Sequence, residues 1–541
     1  MTANAEIPLL VRRLLEFRGI EPAEFGRFLN PSVCELAAPE KLPGAPEAAR
    51  ALYDAAVGGR KIVVFGDYDC DGICATAILV KALAIVGAEV SSFLPDRLSE
   101  GYGMTEASVR RMLEENPGVR TVVTVDNGIN SADFVPVLQE RGIELIVTDH
   151  HLPGETLPDC ITVNPRVSHP EGLEDLCGAG VALMIARLIF RLAYSNEVGK
   201  SPGVSSFIVL AGMATVTDVM PLTGQNRILV AEALRRFEKW APVGLKELYL
   251  RASRRPGARH TSKDFGFLLG PRINAAGRIA SGDDSLSLIL SETRDEAAGR
   301  ALKVDMCNLE RKAVEQKMLD SALGQVRPGA GAQVIDLPDG HQGVAGIVAA
   351  RVMERLEEKV PVCVVVEGHG SARSPEGINV RDALARCDGC LSRFGGHAAA
   401  AGFSVKEGML EDFRLAFTAA CESLRGDEGS GRREIRAFEV RPADLTLEFG
   451  SWVARFEPYG EGNPEPVFVL RGAQLRDIRT MGAEKRHLTF FADNLRAVWW
   501  NRAEELRDIT SSPSPRRDVY FTVEISGYGD PHLELRVVAM E

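Results

Sequence analysis

Residues 62–72 read Ile-Val-Val-Phe-Gly-Asp-Tyr-Asp-Cys-Asp-Gly, and the class of fold follows from them. Four apolar residues, three of them β-branched, predict a buried strand that ends at a loop with three carboxylates. Residues 73–86 then show a helical pattern, and residues 121–125 and 145–148 repeat the short apolar run. Such runs, alternating with helical segments, predict βαβ units and an α/β fold with a parallel sheet covered by helices on both faces.

Acidic side chains and histidines follow these runs. A fourth apolar run, residues 207–216, also ends at an acidic residue, and we predict it to be a further strand. Right-handed crossovers bring the carboxyl ends of parallel strands to one edge of the sheet, where ligands bind in such folds. The residues expected to converge there are Asp67, Asp69, Asp71, Asp126, Asp149, His150, His151 and Asp218.

Several carboxylates placed within a few ångströms repel one another unless cations neutralise them. Oxygen ligands with one or two imidazoles suit Mn²⁺ or Mg²⁺ better than a cysteine-rich zinc site. Two such ions are the usual device for hydrolysing phosphate esters. Each aspartate could instead only cap the helix that follows it. Caps alone do not account for all four strand-end groups together, so the sequence favours a metal centre.

The composition is that of a globular protein. The chain has 541 residues, which predicts several domains, and its 45% apolar content excludes wholesale disorder. Ten cysteines are too few for a disulfide scaffold, and neither a targeting segment nor a membrane span is evident, so we expect a soluble cytoplasmic protein. The net charge of −12 argues against binding nucleic acid through bulk charge, although it leaves room for a local basic groove.

Four motifs give these residues a family resemblance. DYDCDG at 67–72, VDNG at 125–128, DHH at 149–151 and TVTDVMPL at 215–222 resemble, in order and spacing, the motifs of the DHH phosphoesterase superfamily. GGH at 395–397 is similar to the motif of its companion domain, called DHHA1. Residues 270–278 and 456–466 resemble the single-strand-specific 5′→3′ DNA exonucleases of this superfamily.

The resemblance and the sequence pattern together imply an organisation in five parts. We expect an N-terminal helical segment at 1–45, a parallel-sheet DHH catalytic domain at 46–225 and a helical connector at 226–328. A smaller α/β DHHA1-type substrate-binding domain at 329–425 would follow, and then a Gly-rich linker near 425–433. Short alternating runs in residues 434–541 favour a small C-terminal OB-like β-barrel that binds nucleic acid.

The resemblance also implies roles for the site residues. Asp69 and Asp71 would each hold one of two divalent cations, Mn²⁺ or Mg²⁺, and Asp126 would bridge both. Asp67 would bind the first cation, and His150 and Asp218 would complete the ligands of the second cation. Asp149 would orient His150, and His151 would face the scissile phosphate or the leaving group. The residues implied to hold the strand are Arg272, Asn274, Arg278, Arg373, Gly395, Gly396 and His397.

The activity implied by the resemblance is metal-dependent hydrolysis of single-stranded DNA from its 5′ end, releasing mononucleotides. Such enzymes act in DNA recombination and repair, so we expect a monomer whose partners are a helicase and a single-strand-binding protein. Two alternatives stay open at this point. One is an oligoribonuclease or cyclic-dinucleotide phosphodiesterase with the same metal site, and the other is a non-catalytic nucleic-acid-binding relative.

Three cysteines fall close to motifs. Cys70 stands within DYDCDG, where alanine is expected, and we interpret it as a small buried residue and not as a soft metal ligand. Cys387 and Cys390 have metal or redox spacing, but no second pair accompanies them, so ordinary thiols are expected.

Overall fold

A computed structural model describes residues 7–194, 204–253, 259–425, 435–511, 515–526 and 531–541. It contains three sheets, joined by helices. The linker expected near 425–433 lies almost wholly outside the described residues. Across the described ranges, no helix combines the length and the apolar character that a membrane span requires.

The first sheet has five parallel strands in the order β2-β1-β3-β4-β5. The α/β parallel fold predicted from residues 62–72 is thereby confirmed. Its strands are β1 (Ile62–Phe65), β2 (Val90–Phe93), β3 (Thr121–Val125), β4 (Glu144–Thr148) and β5 (Ile161–Val163). The helices around it are α3 (Ala45–Val57), α4 (Cys70–Ile85), α5 (Glu106–Glu115), α6 (Phe134–Gln139), α7 (Pro165–Ser168) and α8 (Gly178–Tyr194).

The fourth apolar run is not a strand. Residues Val204–Thr217 form helix α9, so the prediction of a strand ending at Asp218 was wrong. The helix lies in the largest hydrophobic core of the described chain and is buried around almost its whole circumference. A helix buried on all sides has no polar face, so it lacks the 3.6-residue alternation that distinguishes helices from buried strands.

Helices connect the first sheet to the second. They are α10 (Gly224–Trp240), α11 (Val243–Ala252), α12 (Gly270–Ile279), α13 (Gly282–Leu290) and α14 (Arg294–Leu323), with a π-helical turn, Asp264–Leu269, directly before α12. The helical connector is thus present, and at 30 residues α14 is about 45 Å long. Leu302, Met306, Leu309 and Ala313 recur at helical spacing in its sequence, as an apolar stripe should, yet all four lie on its exposed side.

The second sheet is mixed, with the order β6-β7-β8-β10-β9. Its strands are β6 (Gln333–Asp336), β7 (Val362–Val366), β8 (His369–Arg373), β9 (Leu391–Gly396) and β10 (Ala400–Val405), and its helices are α15 (Gln342–Arg355), α16 (Val380–Ala385) and α17 (Leu410–Leu424). A buried ion-pair network joins α14 to α15, because Glu315 pairs with both Arg311 and Arg351.

The third sheet closes on itself into a barrel, as predicted. The order is β11-β12-β13-β14-β16-β15, and an additional β12–β15 pairing closes the five strands from β12 to β15 into a ring, with β11 paired to β12. The elements are β11 (Phe438–Glu439), α18 (Leu447–Val453), β12 (Phe468–Met481), β13 (His487–Ala492), β14 (Leu495–Trp499), α19 (Leu506–Ile509), β15 (Arg516–Ser526) and β16 (His532–Met540).

The N-terminal helices α1 (Leu9–Phe17) and α2 (Phe25–Leu29) pack onto this barrel. Val11, Leu14 and Leu15 share one hydrophobic core with barrel residues such as Phe468 and Phe521. The two ends of the described chain therefore form a single packed unit.

Arg227 of α10 joins this unit to the helices behind the first sheet. Its buried guanidinium donates hydrogen bonds to the carbonyl oxygens of Phe28 (2.9 Å) and Phe456 (3.0 Å) and lies 3.8 Å from the Phe28 ring centroid. The segment 456–466, which suggested the exonuclease branch, adds further bonds: Ser262 donates to the Tyr459 carbonyl, and the Glu461 carbonyl accepts from the Leu222 N–H. These contacts make that segment a structural junction.

Candidate metal centre and strand-binding surface

The loop after β1 is fixed by backbone N–H groups. Asp69 caps α4, and its Oδ1 accepts from the N–H groups of Asp71 and Gly72 at 3.0 Å. The Asp71 carboxylate accepts from Gly178 N–H (2.7 Å) and Ala179 N–H (2.8 Å) at the start of α8. The capping role considered from the sequence is therefore real for Asp69, but it leaves its Oδ2 available to a ligand.

Asp126 and His150 lie at the centre of the cluster. Asp126 follows β3 in the left-handed region, with φ of 62°, and its Oδ1 is 3.0 Å from His150 Nε2. Both atoms are buried, and neither makes a hydrogen bond. Adjacent ligands of an octahedral ion with bonds of about 2.1 Å are separated by about 3.0 Å, so this spacing fits two ligands of one cation.

The structure brings the six predicted ligands together in two sets, and a further group joins Asp126 and His150 to His151. In each set the ligand atoms lie within 4.8 Å of one another, and the Asp126–His150 contact links the sets. His150 Nε2 is also 3.5 Å from Asp71 and 3.6 Å from Asp218. One set is Asp67, Asp69 and Asp126, and the other is Asp71, His150 and Asp218.

The electrostatics of the cluster favour cations. Burial, followed by repulsion from neighbouring carboxylates, raises the pKa of Asp67, Asp126 and Asp218 above the usual range of aspartate. Asp67 Oδ1 is a further buried oxygen without a hydrogen bond. Because oxygen donors dominate the cluster and its thiol neighbour Cys70 is buried within α4, the donor set fits Mn²⁺ or Mg²⁺.

Asp149 contacts a different ring from the one we predicted. Its Oδ1 lies 2.7 Å from His151 Nδ1, whereas it reaches His150 only through the backbone N–H, also at 2.7 Å. The expectation that Asp149 orients the His150 ring is corrected accordingly. The reason is local geometry, since the His150 ring turns towards Asp126 and leaves only its main chain beside Asp149.

His151 lies at the rim of the cluster. Burial opposes its protonation, but the hydrogen bond and charge of Asp149 prevail and raise the pKa of His151 to about 9. The Tyr102 hydroxyl lies 3.1 Å from His151 Nδ1 and donates to the Asp126 carbonyl at the same distance. An imidazolium at this position suits contact with a phosphate.

Three arginines stand beside the cluster: Arg97, Arg278 and Arg373. Burial, with the charges of Arg97 and Arg373 among the smaller causes, lowers the pKa of Arg278 to about 10. Burial and the charge of Arg97 likewise lower the pKa of Arg373. Mutual repulsion among guanidinium groups indicates a place for an anion. Sequence reasoning missed Arg97, although it follows the carboxyl end of β2 and the strand-end rule could have found it.

Four predicted strand-binding side chains make hydrogen bonds within the protein. Arg278 and Arg373 each donate to one backbone carbonyl, that of Gly343 (3.2 Å) and that of Ala372 (2.8 Å). Arg272 donates to Asp305 (2.9 Å) and to the Leu268 carbonyl (2.8 Å). Asn274 Oδ1 accepts from Cys70 N–H at 2.6 Å, so this side chain holds the loop that carries Asp69.

The GGH motif ends β9 on an exposed edge. Gly396 has φ of +134°, and a Cβ there would lie 2.6 Å from the Ala400 carbonyl oxygen, so only glycine fits this backbone. Gly395 and His397 are exposed beside it, and His397 N–H donates to the Ala400 carbonyl at 2.8 Å. The described contacts do not bring the motif against the acidic cluster.

Comparison with known proteins assigns each sheet to a known domain. Residues 61–211 match the DHH family N-terminal domain, residues 329–423 the DHHA1 domain, and residues 437–538 the RecJ OB domain. The single-stranded-DNA-specific exonuclease RecJ of Salmonella typhimurium is 35% identical over 511 residues, which are 90% of this chain and 86% of that protein. The chain belongs to the RecJ family.

RecJ of Thermus thermophilus is 38% identical over 464 residues, and this chain covers 66% of its length. The crystal structure of Thermus thermophilus RecJ in complex with Mn²⁺ matches 98% of this chain and 76% of that chain, with a TM-score of 0.83 and 32% identity. Its complex with Mg²⁺ matches with a TM-score of 0.77 and 30% identity. The DHH resemblance is thus confirmed, and RecJ relatives bind the two cations that the donor set here fits.

Proposed function

We propose that this chain is a divalent-cation-dependent exonuclease that hydrolyses single-stranded DNA from its 5′ end and releases mononucleotides. The observation that carries the proposal is the pair of ligand sets linked through Asp126 and His150. Membership of the RecJ family supports the choice of substrate, because relatives that bear this name are single-stranded-DNA-specific exonucleases.

The proposed ligands are Asp67, Asp69 and Asp126 for one cation and Asp71, His150 and Asp218 for a second, with Asp126 shared. Bound divalent cations would supply an acidified water molecule and would offset the charge on the phosphate. Asp149 holds the His151 ring through Nδ1, which leaves Nε2 as the proton-bearing atom that can face the leaving oxygen.

The strand would be held by cationic side chains beside the cluster. Arg97, Arg278 and Arg373 offer planar forks of donors for phosphate oxygens. Arg272 would act through its contacts with Asp305 and the Leu268 carbonyl, and Asn274 through the loop that carries Asp69. Gly395, Gly396 and His397 would approach the strand from the second sheet. The barrel would add a further surface for single-stranded nucleic acid.

In the cell, we propose a cytoplasmic monomer that acts in DNA recombination and repair. A single-strand-specific 5′ exonuclease needs unwound DNA, so a helicase and a single-strand-binding protein are the expected partners.

The test is digestion of an oligonucleotide that carries a label at either end, with Mn²⁺ present, by the wild type and by Asp126→Ala. The variant should lose at least a hundredfold in rate, because it removes the shared ligand of both sets. Asp159→Ala is the matched control. It removes an exposed carboxylate two residues before β5 and should digest the strand at the wild-type rate.

Equal digestion by wild type and Asp126→Ala would refute the metal-centre proposal. Loss of the 3′ label first would refute the polarity, and equal digestion of a blunt duplex would refute the single-strand specificity. Preference for a short RNA or a cyclic dinucleotide would favour the phosphodiesterase alternative.

A further inference from the structure

Helix α14 carries an apolar stripe on its outer side. Leu302, Met306 and Leu309 are 43%, 59% and 58% exposed, and Ala313 is exposed beside them. At 100° per residue the four side chains fall within about 60° around the helix, directly opposite the buried Arg311. Within the described ranges nothing covers this stripe. A continuous exposed apolar stripe of this kind marks an interaction surface.

The spacing along the apolar stripe is that of a coiled-coil contact face. Its members are four, three and four residues apart, which is the alternation of d and a positions in a heptad. Leu302 and Leu309 take d positions, and Met306 and Ala313 take a positions. Such a face is buried against a second helix whose apolar residues have the same spacing, so the stripe fits a helical partner.

A second copy of α14 fits the apolar stripe when it runs antiparallel. A two-fold axis midway between Met306 and Leu309 sets Met306 of each copy against Leu309 of the other. The same axis sets Leu302 against Ala313, so each of the four layers is apolar on both sides. A contact about a two-fold axis is complementary to itself, so the stripe needs no other surface of the chain.

Charged residues flank the apolar stripe on both sides. The e positions are Lys303 and Glu310, and the g positions are Asp305 and Lys312. Within the chain, Lys303 pairs with Asp284 and Asp305 pairs with Arg272, whereas Glu310 and Lys312 are exposed. Each flank therefore presents one cation and one anion, in an order that a partner helix must match.

These charges select the antiparallel direction. There, e positions face e positions and g positions face g positions, so Lys303 faces Glu310 of the second copy. On the other flank, Asp305 faces Lys312 of the second copy. In the parallel direction e positions would face g positions, and Glu310 would meet Asp305. Likewise Lys312 would meet Lys317, so like charges would repel on both flanks.

We propose that α14 is a self-association site, at which two copies of the chain pair through their apolar stripes in the antiparallel direction. The contact is short, because Gly299 and Gln316 end the apolar layers after about 17 Å of helix. It buries less than the roughly 1,200–2,000 Å² of a stable interface, so the pair is weak and the proposed monomer is its dilute state. No residue of the stripe belongs to the proposed metal centre or strand-binding surface, so the inference stands apart from the proposed function.

Sedimentation velocity of the full chain, from about 1 to 200 µM, tests the pairing. The wild type should dimerise with a Kd on the order of 10–100 µM. Met306→Glu sets a carboxylate at the centre of the stripe and should weaken the dimer about tenfold or more, while its thermal midpoint stays unchanged because the side chain is exposed. Leu415→Glu changes an exposed apolar side chain on α17 and should dimerise as the wild type does. A wild type that stays monomeric over this range, or a Met306→Glu variant that dimerises equally well, would overturn the proposal.

Charge reversal tests the direction of the two helices. Lys303→Glu and Glu310→Lys should each dimerise more weakly, because each sets like charges against one another across the two-fold axis. An equimolar mixture of the two variants should recover the wild-type affinity, since the acidic e positions of one then face the basic e positions of the other. A stronger dimer of Glu310→Lys alone, or a mixture no better than the separate variants, would contradict the antiparallel contact.

Discussion

Asp149 fixes the two histidines that follow it. Its Oδ1 accepts the backbone N–H groups of His150 and His151 and contacts the His151 ring, while its Oδ2 accepts the Ile129 N–H at 2.9 Å. A buried carboxylate with several donors around it cannot rotate freely, and these contacts lower the pKa of Asp149 despite its burial. The main chain of both histidines and the ring of His151 therefore depend on one side chain that lies outside both ligand sets.

Asp149→Asn should reduce Mn²⁺-dependent digestion of single-stranded DNA by ten- to a hundredfold. The amide cannot accept from all of the present donors, and it removes the charge that keeps His151 protonated. Steady-state rates measure the effect, with circular dichroism to verify folding and Asp159→Asn as the exposed control. A variant with wild-type rates would show that the histidines do not need this support.

Single residues also show how far sequence reasoning extends. The rule that ligands gather at the carboxyl ends of parallel strands brought together Asp67, Asp126 and His150, which lie far apart in the chain. The same rule cannot tell which histidine ring turns to Asp149, since that depends on side-chain rotamers. It also cannot reveal that Arg272 is neutralised by Asp305, because the partner comes from another helix.

At the scale of elements, α9 shows that an apolar run alone does not distinguish a fully buried helix from a buried strand. It delivers Asp218 to the cluster from the end of a helix, so the location of the acid was predicted although its element was wrong. Length separates this run from the three true ones, because residues 62–65, 121–125 and 145–148 are runs of four or five residues, whereas 207–216 has ten, about twice the length of a typical strand. In α14 the four apolar residues at helical spacing lie on the exposed side, so the spacing indicates the helix but not which of its faces is buried.

The buried Glu315 couples the long helix α14 to α15 of the second sheet's domain. It is 1% exposed and pairs with Arg311 on its own helix and with Arg351 on α15. Glu315→Ala should destabilise this joint by about 3–5 kcal/mol, because Arg311 would remain buried without its counter-ion.

Hydrogen exchange is the suitable measurement for this joint, since amides of α14 and α15 should exchange faster while those of β1 and β3 do not. Lys312→Ala, an exposed substitution on the same helix, is the control. Unchanged protection in α15 would mean that the ion pairs contribute nothing to the contact between the two helices.

At the scale of the whole molecule, α1 and the barrel depend on each other. Leu14 is fully buried in the core that both contribute to, whereas Leu9 of the same helix is exposed. Leu14→Ala should cost about 2–5 kcal/mol through the cavity that it leaves. The loss should appear as faster hydrogen exchange in β12 and β15 and leave the first sheet protected.

Leu9→Ala is the matched control for Leu14→Ala and should leave exchange in the barrel unchanged. If Leu14→Ala increased hydrogen exchange in the first sheet as much as in the barrel, the two units would unfold together and not independently. Sequence patterns could predict both the amphipathic α1 and the barrel strands, but not their pairing, because nothing in a local pattern specifies a partner more than 400 residues away.

Because α1 packs on the barrel, it cannot complete its hydrophobic core on the ribosome until the C-terminal strands have been synthesised. Arg18 hydrogen-bonds to the carbonyl of Pro464, 446 residues later. At roughly 5–20 residues per second, the barrel segment emerges about 20–90 s after α1 has left the exit tunnel. Throughout that time the apolar face of α1 has no core to join, so nascent chains should engage chaperones through this helix until the last strands arrive.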